Sequence, residues 1–416
     1  MANKESESKK QEANIDHNCI FSKENVNTGR QPEFDYYKTL NIFLMTLSHV
    51  VENFSKGYFN KVMDFLSIIF GAAGFMLLMG IGMKYSRHHD PKNYISRGIV
   101  LLTIGQYVNL IRNALPNLIA WWTTGRKNFI SRAMLVLQAD VLTFSGIAFL
   151  FLALMKKIKL SDICILIISI IMNIVGFLLY KIMKSPNNFL LRQFLGYFIL
   201  TKSEAFFPLF SYFIFVAFGY WLGGIYLKIS NKENFYKLIL IICFPTSIIY
   251  HYFRSHYNFS KFPKYTTNEE YILLPGPDAI ASIMTNLITL AILYKIDMIL
   301  KGKTPDFITH AAQNLNQYYI LGDVFIRSTN TFLKATKGEE YPYKLKFKPL
   351  FTFMILIFCK ILIDMNNKYI HFTITTLKNP IRNIFFSLIW IMTIISVIYI
   401  YPKVEIYATL WNDYLD

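Results

Sequence analysis

His49 is the residue whose type and neighbours best suit it to chemistry. It stands inside an apolar block, residues 40–51, and Glu52 and Asn53 follow it at the third and fourth positions. On a helix this spacing brings the three side chains to one face. An imidazole beside a carboxylate can act as a general base that takes a proton from a hydroxyl or ammonium group near neutral pH. We therefore predict His49, Glu52 and Asn53 as catalytic residues; a histidine that only packs between helices is the alternative.

The apolar residues of the chain are concentrated in long blocks. The sequence has 416 residues, of which 54% are hydrophobic, and blocks such as 65–83 and 160–180 match the roughly 20 residues that a helix needs to cross a bilayer. Since lipid offers no hydrogen bonds, such blocks must be helical. We predict an all-α, polytopic transmembrane helix bundle of ten or eleven spans. The predicted spans lie near 38–55, 62–84, 94–121, 131–155, 160–183, 206–228, 234–253, 277–300, 348–365 and 381–401.

The first of these spans places His49 deep in the lipid. His49 lies eleven positions beyond Lys38, which is about 16 Å along a helix. An ionisable side chain at that depth is costly, so function is the default explanation for it. A further segment, 305–333, is too polar to face lipid and is predicted as an interior span lining a polar cavity or as a re-entrant helix.

The charge of the chain suits a membrane surface. The net charge is +17, but the Lys and Arg residues fall in short loops between apolar blocks, which favours a lipid bilayer over nucleic acid as the partner. We predict residues 1–34 as a disordered, polar, cytoplasmic tail and residues 35–416 as the membrane domain. The protein is expected in the cell membrane with its N-terminus in the cytoplasm, although basic residues occur on both sides of the alternation.

The basic loops could hold the phosphates of a nucleotide-like donor. Arg87 and Arg97 belong to one such cluster, and Lys156 and Lys157 to another; anionic lipid headgroups would explain both equally well. Further polar residues in apolar surroundings are Asn109, Arg112 and Asp140. The second block carries a stripe of glycines, for which close helix packing is favoured over room for a ligand. The stripe consists of Gly71, Gly74, Gly80 and Gly82.

Several common enzyme classes find no support in the sequence. It contains no Gly-rich phosphate loop, no G-x-S-x-G elbow and no H-E-x-x-H motif,. The histidine pairs 88–89 and 251–256 lack a third ligand at standard spacing, so no metal site is predicted. The four cysteines are far apart and form neither a zinc pattern nor a disulfide framework.

Several segments in order resemble the prokaryotic relatives of heparan-α-glucosaminide N-acetyltransferase, within the wider set of multi-pass acyltransferases that includes the acyltransferase 3 family. "FDYYKTLNIFLMTLSHVVENF" is similar to the family's first span through Asp35 and His49, with Lys38 where the family has Arg. "SRGIVLLTIGQYVNLIR" resembles the third span through Arg97 and Asn109.

Later segments extend the resemblance to about residue 330. They are "ADVLTFSGIAFLFLALMKK", "SEAFFPLFSYFIFVAFGYWLG" and the polar "QNLNQYYI". The resemblance implies transfer of an acyl group, usually acetyl from acetyl-CoA, to an amino or hydroxyl group of an envelope sugar or glycan. The family's histidine corresponds to His49, as direct base or as acyl carrier.

The resemblance also suggests roles for other polar residues. No bound cofactor is expected beyond acyl-CoA as the donor, and its predicted contacts are Arg87, Arg97, Asn109, Lys156 and Lys157. The predicted acceptor contacts are Asp140, Asn314, Asn316 and Tyr319. The oxyanion donors are predicted among Asn53, Asn109, Asn314 and Asn316.

Two other functions use the same polar interior without this chemistry. One is a transporter or flippase for a small or lipid-linked anionic solute, and the other is a scaffold or sensor that has lost activity. A homodimer is left as an open alternative.

Overall fold

The structure is a computed structural model that describes residues 19–55, 63, 66, 71–86, 90–183, 188–199, 206–256, 276–344, 348–370 and 379–405. These residues are mainly helical, and an isolated β-bridge pairs Phe21 with Ile229. The predicted all-α class is therefore confirmed.

The described helices are given in chain order. They are α1 (Pro32–Phe54), α2 (Ala72–Tyr85), α3 (Pro91–Asn109), α4 (Leu115–Thr124), α5 (Lys127–Ala133), α6 (Val141–Lys157), α7 (Asp162–Ile182), α8 (Phe189–Gly196), α9 (Leu209–Tyr226), α10 (Lys232–His256), α11 (Gly276–Ile299), α12 (Asp306–Gln313), α13 (Leu315–Lys337), α14 (Lys348–Met365) and α15 (Asn379–Glu405). A π-helical turn, Leu110–Ala114, joins α3 to α4, and a second, Asn366–Ile370, extends α14.

Six helical segments among the described residues are long and apolar enough to cross a bilayer. They are Asp162–Ile182, Leu209–Tyr226, Lys232–Phe253, Gly276–Ile299, Lys348–Tyr369 and Asn379–Val404. The segment in α9 is 72% buried within the protein, whereas the segment in α15 is only 17% buried. Helix α9 thus occupies the centre of a multi-pass membrane bundle, and helices such as α15 turn apolar side chains toward lipid.

Two predicted blocks have a different internal structure. The block predicted as one span at 131–155 is broken, because Gln138 and Asp140 adopt extended backbone between α5 and α6. The polar segment predicted at 305–333 forms α12 and α13 and packs against α1 inside the bundle. The predicted span 62–84 lies partly outside the described residues.

Buried polar groups fix the start of α1. Glu33 is 1% exposed, and its carboxylate accepts hydrogen bonds from the Tyr226 and Tyr236 hydroxyls and from Lys232 Nζ at 3.0 Å. Because these partners belong to α9 and α10, the contacts tie the first helix to the centre of the bundle. A buried carboxylate satisfied in this way fixes position more than it adds stability.

The segment that precedes α1 lies against the same end of the bundle. The Asn27 side chain donates to the Tyr226 carbonyl at 3.2 Å. Of the predicted tail, 1–34, residues 1–18 lie outside the described ones, whereas 19–31 contact the connection between α9 and α10. The folded bundle therefore extends further toward the N-terminus than residue 35.

Small residues allow α2 and α9 to touch. A methyl group added to Gly80 would overlap the Val216 carbonyl, and one added to Gly219 would overlap the Leu77 carbonyl. Without side chains at these points the two backbones meet, as small residues permit in membrane bundles. The expectation that the glycine stripe serves helix packing holds at Gly80.

Gly80→Ala should lower the stability of the detergent-solubilised protein by about 1–3 kcal/mol, because the added methyl group has to push two packed helices apart. Gly82→Ala is the matched control on the same helix, since nothing lies within 4 Å of the added carbon. It should leave stability unchanged or raise it through better helix propensity. Equal unfolding midpoints for the two variants would refute the close contact.

Candidate active site

A cavity of about 140 Å³ opens between α1, α2, α6 and α13. A water molecule needs roughly 10–15 Å³ of such space, so the cavity holds several waters or a small reacting group. Helix α1 provides much of its wall, through Asn41, Met45, Ser48, His49 and Glu52. The remaining polar lining is Arg112, Gln138, Asp140, Tyr319 and Arg327.

His49 reaches the cavity with its predicted partner beside it. The ring is 23% exposed, and its Nδ1 lies 3.4 Å from Glu52 Oε2. Glu52 is half-exposed and shares the cavity wall. Asn53 is not part of the lining; its amide donates to the His49 carbonyl at 2.9 Å and accepts from Asn330 at 2.8 Å. Two of the three predicted catalytic residues thus meet at the cavity, and the third holds α1 against α13.

Arg112 is the charged centre of the site and is only 2% exposed. Its guanidinium pairs with Asp323 and lies 3.2 Å from Asp140 Oδ2. It also donates to Asn109 Oδ1 at 2.6 Å and to the Tyr319 hydroxyl at 3.3 Å. One guanidinium therefore holds together residues from three separate stretches of the chain.

The π-helical turn that carries Arg112 has a local cause. Pro116 lies just beyond it, and a proline inside a helix has no N–H for the carbonyl four residues earlier, here that of Arg112. The backbone widens instead, and the Leu115 N–H bonds the Leu110 carbonyl five residues back. Such bulges are frequent at functional sites.

Asp140 has two structural tasks besides its pairing with Arg112. Its Oδ1 accepts from the backbone N–H groups of Leu142 at 3.1 Å and Thr143 at 2.9 Å, which caps α6. Its Oδ2 accepts from the Tyr319 hydroxyl at 3.2 Å. The break before α6 thus places the Asp140 carboxylate in the cavity wall. Asp140 and Tyr319, both predicted to contact the acceptor, touch each other there.

A second arginine completes the electrostatics. Arg327 Nε donates to Asp323 Oδ1 at 2.9 Å, and the Asp323 carboxylate is fully buried. Arg112 and Arg327 then face three carboxylates, those of Asp140, Asp323 and Glu52.

Two polar groups at the cavity have no hydrogen-bond partner among the described residues. The first is the carboxamide of Asn41, a residue that is 3% exposed, and both its Nδ2 and its Oδ1 lack a partner. The second is Nε of Arg112. Buried polar atoms in proteins almost always have a hydrogen-bond partner. A bound ligand or water that pairs with these unpaired atoms is one explanation for them. Sequence reasoning missed Asn41, although it stands eight positions before His49 on the same apolar block.

Other predicted residues lie outside the cavity lining. Asn109 is buried, but it is engaged with Arg112 and with the Gln138 carbonyl, to which it donates at 2.9 Å. Asn314 precedes α13 and donates to the His310 carbonyl at 2.9 Å. Asn316 is exposed, because Leu315 and Tyr319, four residues apart, occupy the cavity face of α13.

Apart from Asn109, the described residues that were predicted to contact the donor lie toward the opposite end of α6. From Asp140 to Lys156 the chain runs 16 residues, about 24 Å of helix. Lys156 Nζ lies 3.9 Å from Asp162, and Lys157 and Arg97 are exposed. Arg87 falls outside the described residues. Lys84, Arg97, Lys156 and Lys157 together define the basic end of the bundle.

Comparison with known proteins gives one match. Residues 30–251, more than half of the chain, match the family model described as heparan-alpha-glucosaminide N-acetyltransferase, catalytic. No curated protein and no solved structure matches the chain. The matched segment contains His49, Arg112 and Asp140, while Tyr319 and Arg327 lie beyond it.

Arg112→Leu should destabilise the protein by about 3–5 kcal/mol, because it leaves buried carboxylates without their cation. Arg132→Leu is the matched control, since Arg132 is 30% exposed and pairs with Glu339 at 3.5 Å. It should change stability by about 1 kcal/mol or less. Denaturant titration in mixed micelles measures both, and similar losses for the two variants would contradict the central role of Arg112.

Proposed function

The chain belongs to the heparan-alpha-glucosaminide N-acetyltransferase catalytic family, and from this premise we propose that it moves an acetyl group from acetyl-CoA to an amino or hydroxyl group of an envelope sugar. Membership supports an acetyltransferase-like activity in the membrane. The donor, the acceptor and the residues that carry the reaction are the parts that we propose.

The observation that carries the proposal is the position of His49. Its ring lines a cavity inside the bundle that charged side chains also reach, and Glu52 lies at hydrogen-bond distance from it. A general base has to reach the proton it removes and needs room for the acceptor beside it. A histidine that only packed helices together would not line a cavity with four charged side chains.

The chemical step follows from these positions. His49 takes the proton of the acceptor's hydroxyl, or one proton of its neutral amino group, as the oxygen or nitrogen attacks the thioester carbon. The carbon–sulfur bond breaks as the tetrahedral intermediate collapses, CoA leaves as its thiolate, and the imidazolium returns the proton to sulfur. Glu52 stabilises the imidazolium in between. Transfer through an acetyl-histidine uses the same groups in two steps.

Arg112 is suited to stabilise the oxyanion of that intermediate. Its Nε has no partner among the described residues and belongs to a cavity-lining side chain, while its other nitrogens are fixed by Asp323 and Asn109. A donor held in place before the reaction is worth roughly 3 kcal/mol in the transition state. It takes the role for which the sequence suggested Asn53, Asn109, Asn314 and Asn316.

The donor would approach from the basic end of the bundle. Lys84 and Lys156 lie there beside Asp162 and the Tyr220 ring, and Lys157 and Arg97 are exposed at the same end. Cations at this position suit the phosphates of CoA, whose flexible pantetheine arm then reaches the cavity. With the N-terminus inside, this end faces the cytoplasm, where acetyl-CoA is available.

His49→Ala should lower the release of CoA from acetyl-CoA by about 10²–10⁴-fold, the usual contribution of a general base. The assay uses purified protein with an envelope-glycan extract as acceptor. His251→Ala is the matched control, because His251 is exposed on α10, away from the cavity, and it should leave the rate unchanged.

Two results would contradict the proposal. Wild-type protein that releases no CoA under any of these conditions would favour the transporter or flippase, which needs the cavity but performs no chemistry. Equal rates for wild type and His49→Ala would show that the imidazole is not the base.

A further inference from the structure

Asn41 is the buried polar residue of the cavity that the reaction leaves unexplained. It is 3% exposed and lines the cavity, and neither its Nδ2 nor its Oδ1 has a hydrogen-bond partner among the described residues. A fully unpaired carboxamide is costly to bury, because both its donor and its acceptor lose their bonds to water. A side chain kept under this penalty is explained if a ligand supplies the missing bonds.

The missing partner has a defined chemistry. A primary carboxamide offers an N–H donor and a C=O acceptor next to each other. Another amide satisfies both at once, because it presents a carbonyl oxygen and an N–H in the same plane. A phosphate would leave the Asn41 oxygen unpaired, and an ammonium group would leave its nitrogen unpaired.

The position of Asn41 selects which amide this is. Asn41 precedes His49 by eight residues, about 12 Å along α1, on the side of the start of α1. The start of α1 lies at the basic end of the bundle. Phe34 of α1 packs against Tyr85, with their ring centroids 6.1 Å apart, and Tyr85 is the neighbour of Lys84 in the chain. The order from the end of the bundle inward is therefore cations, carboxamide, imidazole.

A pantetheine arm has its groups in the same order. Its phosphate end comes first, two amides separated by pairs of methylene groups follow, and the thioester is last. When the thioester carbon lies at His49, the arm extends back along α1 past residue 41. We propose that Asn41 is a recognition residue that pairs with an amide of the donor's pantetheine arm. This inference rests on the proposed function, because it takes the donor to be a thioester that reacts at His49.

The test compares donors with and without amides. Acetyl-CoA and S-acetylpantetheine contain the arm, whereas S-hexyl thioacetate has the same acetyl thioester on a plain alkyl chain. Asn41→Leu should raise KM for the two amide-bearing donors about ten- to a hundredfold, the range for one or two buried hydrogen bonds. It should leave the kinetics of S-hexyl thioacetate unchanged.

The matched control is Asn117→Leu, a buried asparagine of α4 that does not line the cavity and donates to the Asn113 carbonyl at 2.7 Å. This variant should leave KM unchanged for all three donors.

Thermal unfolding separates a recognition role of Asn41 from a structural one. Asn41→Leu removes two unpaired polar atoms, so its unfolding midpoint should equal or exceed that of the wild type.

Each result decides the matter. Equal effects of Asn41→Leu on all three donors, no effect on any, or a clear fall in the unfolding midpoint would overturn the inference. If wild-type protein releases thiol from no donor, the proposed function fails on its own, and calorimetric titration with CoA still tests Asn41. Binding of CoA that weakens at least tenfold in Asn41→Leu supports the subsite, and unchanged or absent binding overturns it.

Discussion

The buried guanidinium of Arg112 is the constraint on which the rest of the site depends. In a bundle that offers few polar groups, an isolated charge would be prohibitively expensive, so Arg112 and its carboxylates have to stay together. Asp140 sits at the cap of α6, and Asp323 comes from α13. The pairing therefore sets where α6, α13 and the π-helical turn after α3 meet, at the wall of the cavity beside His49.

The membrane helices were predictable because their signal is local. The predicted span 348–365 has the same bounds as α14, and 277–300 differs from α11 by one residue at each end, since a continuous apolar run between charges leaves little choice in lipid. His49 and Glu52 were also found locally, from their spacing on one helix. Their roles as catalytic residues stay a prediction, although the structure brings both to the cavity.

The parts that sequence reasoning missed depend on the fold. The pairing of Arg112 with Asp323 joins residues more than two hundred positions apart, and no spacing rule announces it. The break before α6 was hidden because its flanks are apolar; only the capping residues Asp140 and Thr143 mark it. Asn314 and Asn316 were placed in the site by the polarity of their segment and by the resemblance. Which residues of a helix reach a cavity depends on the face they occupy, and among the predicted residues of this segment Tyr319 is on the cavity face.

The central claim is that His49 faces a wet cavity rather than lipid. It is tested most directly by replacing the four native cysteines, introducing His49→Cys, and measuring the rate of reaction with a charged methanethiosulfonate. Ile241→Cys, at a residue that is 70% exposed on the outer face of α10, supplies the lipid-facing reference. We predict that the thiol at position 49 reacts much faster than the one at 241. Equally slow reaction at both positions would contradict the account.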